Sequence, residues 1–429
     1  MTGNIIVKNA AEISTPHGRS ARAGASMAEL EVIPDGAVVV EGGTIARVGP
    51  TAQVMADLRA AGVDLSTYDT IDATGKAVLP GFVDSHTHLV FGGYRADEYA
   101  WRLKGDSYMD ILQRGGGILS TVAATRSASR EELTDAGLKR LDSMLAFGVT
   151  TVEGKSGYGL DHETEIKQLE VMADLNRLHP LDVVPTFMGA HAVLPEHKGR
   201  EDAYIDFLLK EVVPEVASRR LAEFCDVFCE KNVFSVEQSR RLLTKAAETG
   251  LKLKLHADEI FRLGGAELAA EIGAASADHL LNASDEGLRA MAAAGVVATL
   301  LPATAFSLRE PYARGRFMID AGCAVALATD FNPGSCFSES IPLVAALAAL
   351  YMNLSPEEIV TALTLNGAAA LGRAQVVGSL DPGKQGDVVI LENPSYRFIP
   401  YHIGVSTVEQ VIKRGVLVFD KSKRGEWRC

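Results

Sequence analysis

The sequence predicts an α/β protein, a (β/α)8 TIM-like barrel that carries a small β-sandwich-like module built from both chain ends. Three observations predict it. Between Pro80 and Gly372, eight short apolar runs alternate with helix-length amphipathic stretches, the pattern of βα units around a parallel sheet. The chain has 429 residues, 47% of them hydrophobic and 23% charged, which leaves room for an accessory module beside a barrel of typically about 250 residues. Short β-rich segments stand at each end and flank this different middle.

In chain order, Asn4–Ala10 (NIIVKNA) and Gly36–Val48 (GAVVVEGGTIARV) read as strands, and Gly42-Gly43 is a two-residue hairpin turn. Between them Ala11 to Asp35 is mixed and polar and reads as a long surface excursion. Residues 1–79 are thus the first part of the small module. The barrel follows over 80–372, with runs starting at Gly81, Val149, Asp182, Phe224, Leu251, Ala275, Val296 and Cys323. Helical material such as Glu131–Phe147 and Ser235–Glu248 separates them. Residues 373–429 return to strands at Gly386–Glu392 and Val408–Asp420 and complete the module. A doubly wound open sheet is the competing arrangement, but no GxGxxG follows a first strand, and eight even units favour closure. Gly115-Gly116-Gly117 lacks the GxxxxGK[ST] frame of a phosphate loop and reads as a βα connection.

Composition narrows the function classes. Forty-two basic against fifty-five acidic residues give a formal charge of −13, which repels a phosphate backbone unless one face is densely basic. The only basic cluster is Lys421, Lys423 and Arg424, so no nucleic-acid partner is expected. There is no apolar run of about twenty residues, and the start MTGNIIVKNA lacks signal-peptide features. No membrane partner and a cytoplasmic location are expected. The five cysteines, Cys225, Cys229, Cys323, Cys336 and Cys429, are scattered and odd in number, and free thiols are expected. Cys225 and Cys229 lack the second pair of a structural zinc site. The partner expected is a small-molecule substrate, with a homodimer as the commonest assembly.

The chemistry sits at the ends of the runs. His86 and His88 are two apart, so on an extended strand both imidazoles project from one face and can chelate one ion; such a pair also reads as a polar strand end. His191, His256, His279 and Asp330 end other runs, and in a parallel barrel those ends converge on one mouth. Imidazole and carboxylate together suit zinc or iron rather than magnesium or calcium. A set of His86, His88, His256 and Asp330 leaves a position open for water, whose pKa falls from about 15.7 toward 7 on such an ion. Glu259, three residues after His256, suits the proton shuttle, although it also reads as a solvated loop carboxylate. His279 either orients the water and stabilises an oxyanion or is a satisfied core histidine.

Three strings, PGFVDSHTHLVF, HADE and ATDFNPGS, together resemble the amidohydrolase superfamily of metal-dependent hydrolases. The longer strings VDSHTHLVFGGYRADEY, EGKSGYGL, TFMGAHAVLPEH and ATDFNPGSC are similar to one member acting in histidine breakdown. That resemblance covers nearly the whole chain, apart from the Ala11–Asp35 excursion. It implies hydrolysis of the ring amide of 4-imidazolone-5-propanoate to N-formimidoyl-L-glutamate. By the matching motifs, His86, His88, His256 and Asp330 hold one zinc or iron ion. Glu259 is the acid/base and touches the ring, with His279 assisting at the water. Arg95, Tyr158 and His191 bind substrate, and Asn332, Gly334 and Ser335 hold the opened product.

An anion in an acidic protein needs a local cation, and Arg95 offers bidentate recognition of the propanoate, although a surface salt bridge is its other reading. Tyr158 lies between glycines, where either a substrate contact or a packed loop tip fits, and Tyr108 is a second candidate for the same carboxylate. Two-metal members use a carbamylated lysine after the fourth strand, where Lys231 stands. One ion is the reading here, because HADE places a carboxylate as in single-metal members, and a salt bridge is the expected fate of Lys231. Two other functions share these residues: deamination of a cytosine- or guanine-like ring, which leaves Arg95 without a task, and a catalytically silent barrel.

Overall fold

The computed structural model describes residues 2–106, 114 and 116–423, so Tyr108, Gly115, Arg424 and Cys429 lie outside the described residues. The chain begins with β1 (Ile5–Thr15), β2 (Glu31–Glu41), β3 (Thr44–Pro50), β4 (Asp69–Asp72) and β5 (Ala77–Pro80). Eight further strands follow: β6 (Phe82–Asp84), β7 (Val149–Lys155), β8 (Asp182–Ala190), β9 (Phe224–Cys229), β10 (Lys252–Ala257), β11 (Ser276–His279), β12 (Val297–Leu300) and β13 (Ala324–Leu327). Each falls inside one of the eight predicted runs. They pair in sequence order, each parallel to its neighbour.

The two ends of this sheet meet. Thr87 pairs with Phe331 in a parallel bridge, His88 N donates to Phe331 O at 2.9 Å, and Asp330 N donates to His86 O at 3.0 Å. Thr329 N and Oγ1 both donate to the buried Asp84 carboxylate, at 3.0 and 2.6 Å. Closure therefore brings the first and last strand ends, with their candidate ligands, side by side, and the open-sheet alternative is overturned.

Helices between the strands start where their sequences cap them. Ser129 and Glu132 form a reciprocal capping box at the head of Arg130–Ala146, and Ser235 with Gln238 does the same for Val236–Glu248. Each box satisfies two of the amide donors left free by a helix start.

The chain ends with β14 (Val388–Leu391), β15 (Val408–Lys413) and β16 (Val416–Asp420), which join β5, β1, β2 and β3 in one sheet, with β4 beside β1. The sheet curls so that Ile5, Val7 and Val40 share a core with Val388 and Ile412. Its other face is covered by a helix the sequence reading did not assign, Thr51–Ala60, whose Val54 and Leu58 pack on Ile6 and Val39.

The Ala11–Asp35 excursion is corrected by the structure. β1 runs on to Thr15 and β2 starts at Glu31, so only the middle is loop. That loop docks on the barrel rather than lying in solvent. Met27 is fully buried, Arg22 N donates to Asn366 Oδ1 at 2.7 Å, and Asn366 Nδ2 returns a bond to Arg22 O at 2.8 Å. Among the described residues, Cys225, Cys229, Cys323 and Cys336 are free and buried, and no helix is long and apolar enough to cross a membrane.

Candidate active site

The barrel mouth opens on a cavity of about 820 Å³. His88, His256, Asp330, Glu259 and His279 line it, and His86 lies directly behind. The imidazoles of His86 and His256 are 4.6 Å apart between ring centres, and those of His86 and His88 are 5.5 Å apart. Among the described residues, ligand-capable atoms gather in three overlapping groups: His86 with His88 and Asp330, His86 with His256 and His279, and, deeper, His86 with Glu153 and Asp278. His86 is the shared member. Asp330 Oδ1 lies 3.5 Å from His86 Nε2 and 3.8 Å from His88 Nε2, while its other oxygen accepts from Thr304 Oγ1 at 2.7 Å. One carboxylate oxygen is thus held and the other is turned to the histidines.

These residues fit a metal ion on the structure's own evidence. His86 Nε2 and His256 Nε2 are buried without a hydrogen-bond partner, an arrangement that costs free energy unless something else takes the lone pairs. Burial, together with the positive field of Lys155 and the neighbouring rings, keeps His86 and His256 well below the usual histidine range, so both are neutral, the form a metal ion needs. His86 Nδ1 donates to Asp278 Oδ2 at 2.6 Å, which fixes the tautomer that leaves Nε2 bare. Burial pushes the Asp330 carboxyl up to about 7, outweighing the hydrogen bonds from Thr304 and Asn332 and the charge of Lys155. His279 and Asp330 both have positive φ, 72° and 52°, conformations disfavoured for residues other than glycine and held here by the surrounding structure.

Glu259 is placed by its neighbours. In HADE, Asp258 caps the next helix by accepting from Leu263, Gly264 and Gly265 N through one oxygen and from Ala266 N through the other. Glu230 accepts from Ile260 N at 2.9 Å, so the segment carrying Glu259 is tied on both sides. Glu259 Oε1 lies 3.5 Å from His279 Nδ1. Burial, reinforced by the Asp330 charge, pushes its carboxyl up to about 8. Such a group exchanges protons near neutral pH.

The opposite wall carries the predicted substrate contacts. Arg95 Nε donates to Glu98 Oε2 at 2.7 Å, and Ser120 Oγ holds the other Glu98 oxygen at 2.9 Å. A Cβ at position 334 would lie 2.1 Å from Arg95 Nη1, so Gly334 is the platform on which the guanidinium rests. The buried Glu165 carboxylate accepts from Gly157, Gly159 and Leu160 N and fixes the SGYGL loop from which Tyr158 projects. His191 stacks on His88 at 4.8 Å, and its Nδ1 donates to Gly157 O at 3.0 Å. Burial lowers His191 to about 4, leaving Nε2 as an acceptor. Asn332 accepts from Gly334 N and Ser335 N, both at 2.8 Å, and its Nδ2 donates to Asp330 O and Ser335 Oγ. Its amide is committed to shaping the loop.

Among the described residues, Lys231 does not form the expected salt bridge. It is exposed, with its ammonium 4.6 Å from the Phe261 ring centre. The lysines that matter were not singled out from sequence. Lys155 and Lys254 are fully buried with Glu153, Asp226 and Asp278 beneath the histidines. A signal for them exists: Glu153 and Lys155, and Lys254 and His256, are each two apart on strands buried on both faces.

The model of the amidohydrolase family matches residues 77–418. The chain belongs to the amidohydrolase family. As an amidohydrolase it is similar over nearly its whole length to proteins named imidazolonepropionase. That of Clostridium tetani is 58% identical over 98% of this chain and 99% of that protein, and that of Bacteroides thetaiotaomicron is 60% identical over 97% and 99%. Solved amidohydrolase-like structures share the fold at low identity. An adenosine deaminase from Xanthomonas campestris with bound zinc has a TM-score of 0.70 at 18% identity, covering 98% of this chain and 93% of that one. A triazine hydrolase from Arthrobacter aurescens modified for expression has a TM-score of 0.74 at 19% identity, covering 97% and 95%.

Proposed function

We propose that this amidohydrolase hydrolyses the ring amide of 4-imidazolone-5-propanoate to N-formimidoyl-L-glutamate, a step in histidine degradation. The observation that carries the reading is a cation, Arg95, fixed across one cavity from the His88, His256, Asp330 and Glu259 cluster. A small cyclic amide with a carboxylate tail matches both ends, whereas a purine or pyrimidine leaves the arginine unused. The near-full-length similarity to imidazolonepropionases supports the same substrate.

His86, His88, His256 and Asp330 hold the ion, zinc or iron, since imidazole and carboxylate suit either. When bound, the ion acidifies a water and polarises the ring carbonyl. Glu259 accepts the proton as water oxygen adds to the carbonyl carbon, then returns it to the ring nitrogen as the carbon–nitrogen bond breaks. Its carboxyl, raised to about 8, is suited to both halves of that exchange. His279, beside Glu259, donates toward the developing oxyanion or steadies the water. Arg95 takes the propanoate, with Tyr158 and neutral His191 beside it. The Asn332–Ser335 loop supports Arg95 through Gly334 and faces the opened product.

The test is turnover of 4-imidazolone-5-propanoate followed by loss of its ultraviolet absorbance, with Arg95→Ala beside the parent. Losing one charge-assisted contact costs about 1.5–3 kcal/mol, so kcat/KM should fall about ten- to a hundredfold. A parent enzyme that leaves this substrate untouched while deaminating guanine or cytosine would overturn the reading.

A further inference from the structure

Below the histidines lies a cluster that the proposed reaction does not use. Glu153 and Lys155 of β7, Asp226 of β9, Lys254 of β10 and Asp278 of β11 are all fully buried, two ammonium groups among three carboxylates. The contacts share individual oxygens. Asp278 Oδ2 receives His86 Nδ1 at 2.6 Å and faces Lys155 Nζ at 3.6 Å. Asp226 Oδ2 lies 3.0 Å from His256 Nδ1, a close approach without hydrogen-bond geometry, and takes Lys155 Nζ at 2.7 Å. Lys155 therefore bonds the carboxylate oxygen beside His256 and faces, from 3.6 Å, the one behind His86, on two different strands. Lys254 shares Glu153 Oε2 with Lys155, at 2.9 and 3.0 Å, bonds Ser85 O at 3.0 Å and faces the same Asp278 Oδ2 at 3.8 Å; the ion pair with Asp226 belongs to Lys155.

We infer that Lys155 is a positioning residue for the metal site, tying Asp226 and Asp278, and through them His256 and His86, into one rigid ligand frame. The inference concerns the metal site and holds for any reaction the site performs. A buried carboxylate next to an imidazole is pulled toward whatever cation is nearest. Without Lys155, the two aspartates are free to turn toward the ion or toward Lys254, so His86 loses the acceptor that aims its Nε2 and His256 loses the carboxylate beside its Nδ1. Partners behind metal-bound histidines commonly contribute 10- to 100-fold in affinity.

Charge alone predicts the opposite sign, because an ammonium beneath a cation repels it. That difference makes the inference testable without any assay of turnover. Zinc affinity of the metal-free protein is measured by chelator competition for the parent, Lys155→Met and Lys254→Met, with the thermal midpoint of each metal-free form recorded alongside. Positioning predicts that Lys155→Met loosens zinc about 10- to 100-fold, and that Lys254→Met loosens it far less for a similar loss of thermal stability. If Lys155→Met binds zinc as tightly as the parent or more tightly, the inference is overturned. The same holds if both variants loosen zinc equally, because the cluster then acts only through the fold. Lys155→Gln serves if the Met variant does not fold. It keeps a donor within reach of Asp226 while removing the charge, so positioning predicts affinity lowered but closer to the parent, and tightened binding again overturns the idea.

Discussion

Glu259 and His279 stand 3.5 Å apart, and the proton could be assigned to either, so the residue scale is where the mechanism is decided. Glu259→Gln keeps shape and reach while removing the titrating function. It is expected to keep its metal and its fold, to lose about 10²- to 10⁴-fold in kcat, and to change the acidic limb of the pH–rate profile. If His279→Asn alone loses turnover, the shuttle belongs to the histidine. A second expectation follows from Asp330 and Glu259, whose carboxyls burial raises to about 7 and about 8. An acid raised in the folded state contributes stability while protonated, and that contribution is lost as pH rises through the folded value. Unfolded histidines still bind protons below about pH 7.5, and those buried neutral in the fold then favour folding as pH rises, so the carboxyl effect stands clear between about pH 7.5 and 8.5. The metal-free protein should therefore lose stability across that window. An ion prefers the ionised carboxylate, so the gain in thermal midpoint on adding zinc should grow with pH. A gain that shrinks as pH rises would remove Asp330 from the ligand set. Of these residues, the ligands were legible because each ends an apolar run. The roles of Gly334 and Asn332 as supports for Arg95 and its loop were not, since they depend on contacts between segments far apart in sequence.

Among the elements, the barrel strands were the most legible and the connecting loop of the small module the least. A run such as VTTVEGK is buried along its whole length, and its apolar and β-branched residues mark it whatever its partners. The Ala11–Asp35 segment has no such pattern. Its docking rests on one apolar side chain, Met27, and on backbone bonds to Asn366, Thr361, Cys323, Asp381 and Lys384, which composition does not reveal. The helix Thr51–Ala60 was missed for a related reason, because only Thr51, Val54 and Leu58 of it are buried. The buried Asn366 amide serves Arg22 N, Arg22 O and Val325 O together. Asn366→Ala leaves those groups unpaired at a cost of about 1–3 kcal/mol each where water cannot reach. Urea unfolding should show a clear loss of stability, with zinc affinity unchanged in the folded protein. A variant as stable as the parent would show that Met27 and the bonds to Thr361, Cys323 and Asp381 hold the loop without Asn366.

At the scale of the whole molecule, one closed sheet gathers the candidate ligands from the segment after β6, from β10 and from the segment after β13, the candidate acid/base from the loop after β10, and Arg95 from the loop after β6. The sheet built from both chain ends packs beside this barrel and contributes none of them. Fold class and site location were therefore readable together, because strand ends converge wherever a parallel barrel closes. The polar cluster inside the barrel was not, since a charged residue on a strand reads as solvent-facing until closure puts it indoors. The central claim is that His86, His88, His256 and Asp330 form one metal centre that carries the hydrolysis. The most direct measurement is metal content and turnover of 4-imidazolone-5-propanoate on the same purified samples of parent and His256→Ala. The account predicts about one zinc or iron per chain with turnover in the parent, and loss of both in a folded variant. Full metal occupancy in His256→Ala, or turnover surviving without metal, would contradict it.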